Sequence, residues 1–197
     1  DGAGNVWVVG RSSNGAASYD FALWKYDGDG ALASGFPKLW NNAATTSGND
    51  DVGEGIAVDG AGNIWLTGRS YNSATQYDVA LWKYDGSGTL APGFPKFWNN
   101  PATSRGEIGN DIAVDGAGNV WVVGRSSNGA ASADFALWKY DVDGALASGF
   151  PILWNNATAN GNESGYGVAV GGEGIIWAVG YSSNATSASD FALWKHQ

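Results

Sequence analysis

The chain has 197 residues, of which 44% are hydrophobic and 15% charged, a balance that excludes a disordered tail. Its net charge of −9, with ten scattered basic residues, excludes a phosphate backbone as partner. Cysteine is absent, so disulfides and thiolate metal sites are excluded too, and no long apolar segment is present to insert into a membrane.

Glycine supplies 31 residues and tryptophan 11, with only five prolines, a mixture that suits short strands joined by tight turns. The opening run, Asp1-Gly-Ala-Gly-Asn-Val-Trp7, returns at Asp59 and Asp115, and more weakly as Gly171-Gly-Glu-Gly-Ile-Ile-Trp177. These starts lie 58, 56 and 56 residues apart, and they divide the chain into units 1–58, 59–114, 115–170 and an incomplete 171–197. Two further tryptophan series keep the same spacing, Trp24, Trp82, Trp138 and Trp194, and Trp40, Trp98 and Trp154. The extra two residues of the first period fall between Asn42 and Ile56, which marks that segment as a loop.

Within the second unit the pattern predicts four strands. A short first strand lies around Gly55 to Val58, and Asp59-Gly-Ala-Gly62 turns the chain into a second strand, Asn63 to Arg69. A polar loop, Ser70 to Tyr77, leads to a third strand, Asp78 to Asp85, and a looser fourth covers Phe94 to Trp98. Runs such as Val6-Trp-Val-Val9 and Phe21-Ala-Leu-Trp24 are apolar on both faces, whereas a sheet with one wet face would alternate. The fold class expected is therefore all-β: a β-propeller of four-stranded antiparallel blades of about 56 residues, stacked face to face.

The motif Asp-Gly-x-Gly-Asn-Val-Trp-Val-Val-Gly resembles the SBBP-type β-propeller repeat and, more distantly, the NHL repeat. Asp20-Phe-Ala-Leu-Trp-Lys-Tyr-Asp-Gly-Asp-Gly-Ala-Leu-Ala-Ser-Gly-Phe36 is similar to the core of the bacterial delta-sixty repeat, with Ala33 and Pro37 departing from its pattern. The resemblance implies a secreted or surface-attached bacterial protein and hands on no catalytic residue.

Several constellations are candidates for chemistry. Asp27 with Asp29, and Asp141 with Asp143, open a calcium-loop pattern but lack its distal glutamate, and Asp-Gly is equally a turn signal. No cofactor is expected, and calcium is the one ion these residues would take. Arg11, Arg69 and Arg125 end second strands, and Asp20, Asp78, Asp134 and Asp190 start third strands, which reads as a repeated ion pair across one hairpin. Trp40, Trp98 and Trp154 sit on outermost strands and are each followed by Asn-Asn, so Trp40 with Asn41, Trp98 with Asn99 and Trp154 with Asn155 are candidate glycan-binding pairs. The second-to-third and fourth-to-first loops should share one side of the molecule and carry the divergent residues Arg105, Glu107 and Tyr166, where a ligand is expected. The sole histidine, His196, stands beside the C-terminus and anchors no triad.

Near-identical repeats favour multivalent recognition or scaffolding over catalysis. The function expected is a non-catalytic binding or structural module of an exported protein, taking a protein or surface partner. A carbohydrate-binding lectin is the alternative, and a polysaccharide-active enzyme a weaker one. Beginning at Asp1, the chain reads as an excised piece. With strands counted as three, four, four and three, it should either belong to a longer array or self-associate to complete a ring.

Overall fold

The computed structural model describes every residue except 14, 16–17, 43–49, 104–105, 130–131, 157–160 and 185–187. Four antiparallel sheets follow one another along the chain. The first holds β1 (Val6–Ser13), β2 (Tyr19–Tyr26) and β3 (Lys38–Trp40). The second holds β4 (Asp51–Val58), β5 (Ile64–Asn72), β6 (Gln76–Tyr84) and β7 (Lys96–Trp98). The third holds β8 (Ile108–Val114), β9 (Val120–Ser127), β10 (Ala133–Tyr140) and β11 (Ile152–Trp154), and the last β12 (Glu163–Val170), β13 (Ile176–Ser183) and β14 (Ser189–His196). Among the described residues the strand counts are thus the expected three, four, four and three. Each sequence unit starts mid-sheet, at the turn between first and second strands. No helix is long and apolar enough to cross a membrane.

The recurrent Asp-Gly-Ala-Gly-Asn-x-Trp run has a mechanical meaning. Asp59 Oδ1 accepts the Ala61 and Asn63 backbone N–H groups, and Oδ2 accepts the Asn63 amide and, at 2.9 Å, the Trp65 indole N–H. Gly62 closes the turn at a φ of 83° that a β-carbon would resist. One carboxylate therefore fixes both the turn and the tryptophan after it. Asp1 and Asp115 repeat this clasp on Trp7 and Trp121 at 2.8 and 3.0 Å. In the last sheet Gly171 stands in the aspartate's place, and the turn tightens into a short 3₁₀ segment, Gly172–Gly174.

First strands are longer than the apolar run suggested. β4 starts at Asp51, and its pairing with β5 slips between Gly53 and Gly55. The same bulge recurs between Gly109 and Asp111 and between Gly165 and Gly167. A bulge breaks alternation, which is why periodicity hid these residues. The first strands of neighbouring sheets lie side by side. A Cβ at Gly53 would collide with Val9, and one at Gly109 with Thr67, so glycine there permits the close approach.

Sheets stack by apolar faces. Trp7, Phe21 and Leu23 of the first sheet cover Ile64, Leu66, Trp82 and Tyr84 of the second, and the next two junctions repeat the arrangement. Phe21 stacks on Trp82 with ring centroids 4.4 Å apart, and Phe135 on Trp194 at 4.1 Å. Lys25 Nζ reaches the Gly86 carbonyl at 2.8 Å and Lys83 Nζ the Val142 carbonyl at 2.9 Å, pinning the turn side of two junctions. Trp7, Trp65, Trp121, Trp82 and Trp138 are buried, as expected of junction residues. Trp24 and Trp194 are only half-buried and Trp177 is exposed, because they lie on the end sheets. His196 ends β14 packed against Trp121 and Phe150, 5.7 and 5.6 Å between rings, rather than hanging free.

Replacing Trp82 by Ala empties a fully buried junction site and should cost on the order of 3–5 kcal/mol. Urea unfolding measures this, and a loss below about 1 kcal/mol would mean that the junction does not hold the fold.

Candidate functional site

The loops between second and third strands, and between each sheet and the next, do share one side. Tyr19 donates its backbone N–H to Asp50 across them, and the Asn42 amide reaches Ser70 Oγ and the Tyr71 carbonyl at the end of β5. That amide is a repeated clasp between sheets. Asn100 donates to Ser126 Oγ and the Ser127 carbonyl, and Asn156 to Ser182 Oγ and the Ser183 carbonyl. The second asparagine of each Asn-Asn pair is thus structural.

Asn41 is exposed, Asn99 is half-buried, and Asn155 donates to Asp134 at 3.0 Å. The tryptophans before them turn their edges to the next sheet. Trp40 meets Trp82 at 5.7 Å, Trp98 meets Trp138 at 5.3 Å, and Trp154 meets Trp194 at 5.6 Å. Trp154 keeps the most open surface of the three.

The expected arginine–aspartate pair does not form as drawn. Arg69 stands opposite Val79 in the β5–β6 ladder and Asp78 opposite Ser70, so the two side chains leave on opposite faces. Asp78 takes Asn72 and Thr75 instead, Asp134 takes Asn128 at 2.7 Å, and Asp190 takes Asn184 at 2.9 Å. Two of the arginines reach acids in or just before β4. Arg69 binds Glu54 at 2.5 Å, and Arg11 lies 3.9 Å from Asp50 and over the Tyr19 ring.

The bulges supply a site of which sequence reading named only Tyr166. Their extra residues are Glu54, Asn110 and Tyr166, three different chemistries at one repeated position. A bulge re-aims the side chain it carries. Glu54 and Arg69, with Arg11, line an open polar pocket of about 430 Å³ beside Val9, Gly10, Val52 and Gly53. Asn110 ties its neighbour through Ser164 Oγ and the Gly165 carbonyl, at 3.1 and 2.7 Å. Tyr166 is exposed and lies 5.7 Å from Tyr181, which bonds Arg125. Burial, more than these neighbours, raises the Tyr181 hydroxyl above its ordinary pKa. Of the other expected ligand residues, Arg105 lies outside the described residues, and Glu107 is not on the surface.

Glu107 belongs to a second repeated feature, the buried acids Asp51, Glu107 and Glu163 where each first strand begins. The Asn42 backbone N–H bonds Asp51 at 2.8 Å, and those of Asn100 and Asn156 bond the two glutamates. Thr103 and Ser182 hydroxyls stand 3.5 Å from Glu107 and Glu163. Among the described residues one oxygen of each acid has no hydrogen-bond partner. Burial raises all three, Glu107 to about 7, and the facing carboxylates Asp20, Asp78 and Asp134 add to it. Burial and the like charge nearby disfavour ionisation of each acid, while the donors on one oxygen favour it.

The calcium-type acids serve their own turns. Asp27 Oδ1 accepts the Asp29 and Ala31 N–H groups, and Asp141 Oδ1 those of Asp143 and Ala145. Among the described residues no three acids or histidines gather.

No family model matches this chain, and no curated protein does. Solved structures match over 98% of it, at 11–14% identity. They include a GH43 endo-arabinanase from Bacillus licheniformis (14% identity, TM-score 0.50) and a subtype N11 neuraminidase-like protein of a flat-faced bat influenza virus (14%, 0.51). A third is a glycoside hydrolase (11%, 0.51). The chain spans 69%, 57% and 63% of their respective lengths. Such likeness defines the class by fold alone: an all-β propeller of four-stranded antiparallel sheets.

Two outcomes follow from these acids. A carboxyl held above its ordinary 4.5 binds its proton more tightly in the folded chain, so its contribution is complete below about pH 4.5 and lost as pH rises through about 7. Urea midpoints should fall across that window, and Glu107→Gln should flatten the fall; an unchanged slope would remove Glu107 as the cause. Chelation with EDTA should leave the thermal midpoint unmoved, and a drop reversed by added calcium would restore Asp27 and Asp141 as ligands.

Proposed function

We propose that this chain is a non-catalytic binding module whose ligand sits where the bulged first strands meet the loop side. The observation that carries this reading is where the repeats stop agreeing. Arg11 to Ser18 and Arg125 to Ser132 are identical, whereas the three bulges carry a carboxylate, an amide and a phenol. Framework positions need one residue, and a recognition surface needs several. The nearby acids are already engaged: Glu54 by Arg69, Asp50 by Tyr19 and Arg11, and Asp111 by the Val168 N–H at 2.9 Å. A glycosidase instead needs two carboxyl groups facing one bond. The repeat motifs support an exported, surface-associated setting in a bacterium.

A glycan is the second reading, and the pocket favours it. The guanidinium and carboxylate groups of the pocket suit a polyhydroxylated ligand, and the exposed phenol of another bulge, outside the pocket, offers a ring to stack upon. The structurally similar proteins include a glycoside hydrolase, an endo-arabinanase and a neuraminidase-like protein, which supports the same direction.

A glycan array, followed by titration of the best hit, tests both readings. Tyr166→Ala and Arg69→Ala should each weaken binding by about tenfold or more, while Asp29→Asn on the opposite turns leaves it unchanged. Equal loss in all three would refute the assigned side. Steady release of reducing sugar from a polysaccharide would overturn the non-catalytic reading, and an empty array would leave a protein as the partner.

A further inference from the structure

The two end sheets show the two halves of one junction. Inside the chain each forward face carries an aromatic or β-branched residue on the third strand, with its neighbours, and each backward face carries the tryptophan that receives it. Phe21 and Phe135 are the forward residues at the first and third junctions and are 0% and 2% exposed. Phe191 is their equivalent on β14 and is 76% exposed, with Leu193, Trp177 and Val179 exposed around it. At the other end the backward face shows Val6, Val8 and Leu32, all exposed, around a half-buried Trp24. These correspond to Ile64, Leu66, Leu90 and Trp82 of the second sheet, which pack against the first.

We propose that the forward face of the last sheet docks the backward face of the first sheet of a second copy, head to tail, by the contacts already used inside the chain. The internal junctions give the occupant. Phe191 would stack on Trp24 of the second copy as Phe21 stacks on Trp82 and Phe135 on Trp194. Lys195 would reach the Gly28 carbonyl as Lys25 reaches that of Gly86 and Lys83 that of Val142. The Gly28 and Gly86 turns are built alike, each closed by an aspartate that accepts two backbone N–H groups. The contact is heterologous: one face meets a different face, so it extends or closes a ring and never pairs like with like. The asparagine clasp is not part of it, since among the described residues the last sheet has no outer strand and the first no inner one. The copies should therefore associate reversibly and with concentration, more weakly than sheets within a chain. Nothing in this contact uses Tyr166 or Arg69, so it stands apart from the binding reading.

Sedimentation of the 197-residue chain over a concentration series tests it, with Val8→Asp and Phe191→Asp as variants. Each variant changes an exposed residue, and near-UV circular dichroism checks that its packing is intact. The wild-type chain should rise from 20.4 kDa to a multiple of that mass as concentration increases. Each variant alone should stay at 20.4 kDa, because one half of every junction carries a charge. An equimolar mixture should form a one-to-one dimer, because Phe191 of the Val8→Asp chain still meets Trp24 of the Phe191→Asp chain. A wild-type monomer throughout the series would overturn the proposal. So would variants that still associate alone, or a mixture that stays monomeric.

Discussion

A sheet of short strands with apolar side chains on both faces must cover both of them from water. Covering those faces is the constraint from which the rest of this chain follows. It accounts for the placement of the tryptophans, of which Trp65, Trp82 and Trp138 are fully enclosed between sheets. It also explains the glycines of the first strands, which let successive backbones come close enough for phenyl and indole rings to stack. The polar ties then gather at the margins, including the first strands, where Asn110 and Asp111 bond the next sheet. Lysines hold the turn side, asparagines hold the loop side, and the interior between them is hydrocarbon and aromatic.

Much of this architecture was legible in the residues. The Asp-Gly-x-Gly turns fixed where second strands begin, and unbroken apolar runs announced that both faces would be covered. What escaped reading shares a cause: its partners lie far away in sequence. Asn42 gave no sign of its purpose because Ser70 and Tyr71 stand on the next sheet. Asp51, Glu107 and Glu163 recur every 56 residues, yet polarity placed Glu107 on the surface, while the fold encloses it. The arginine–aspartate pair failed through parity, since one step along a strand sends a side chain to the other face. The bulges failed differently. Glu54, Asn110 and Tyr166 looked like loop variation, and only the slipped register shows that they belong to strands.

The molecule thus separates two duties that a repeat protein must perform together. Residues that join sheets are kept alike, because each junction must fit the next. Residues that leave the ladder at the bulges make no demand on the junction's ring packing and can differ. Arginine supplies the meeting point of the two groups. It rises from a repeated strand position, but its partner differs: the bulge carboxylate Glu54 for Arg69, and for Arg125 the hydroxyl of Tyr181 on the next sheet's second strand.

The ties between sheets carry one more consequence, for how such an array comes to exist. Lys25 and Lys83 address main-chain oxygens, and the oxygen belongs to Gly86 in one case and Val142 in the other. The asparagine amides likewise address the carbonyls of Tyr71, Ser127 and Ser183. The lysines, which read only backbone, are indifferent to the side chain their neighbour presents, and the asparagines ask only for a serine hydroxyl beside the carbonyl. A duplicated segment copied in beside its parent therefore finds its fastenings ready, without matching substitutions on either side. Growth by gene duplication needs no simultaneous change in two places, and each added sheet is free to drift wherever no neighbour reads its side chains.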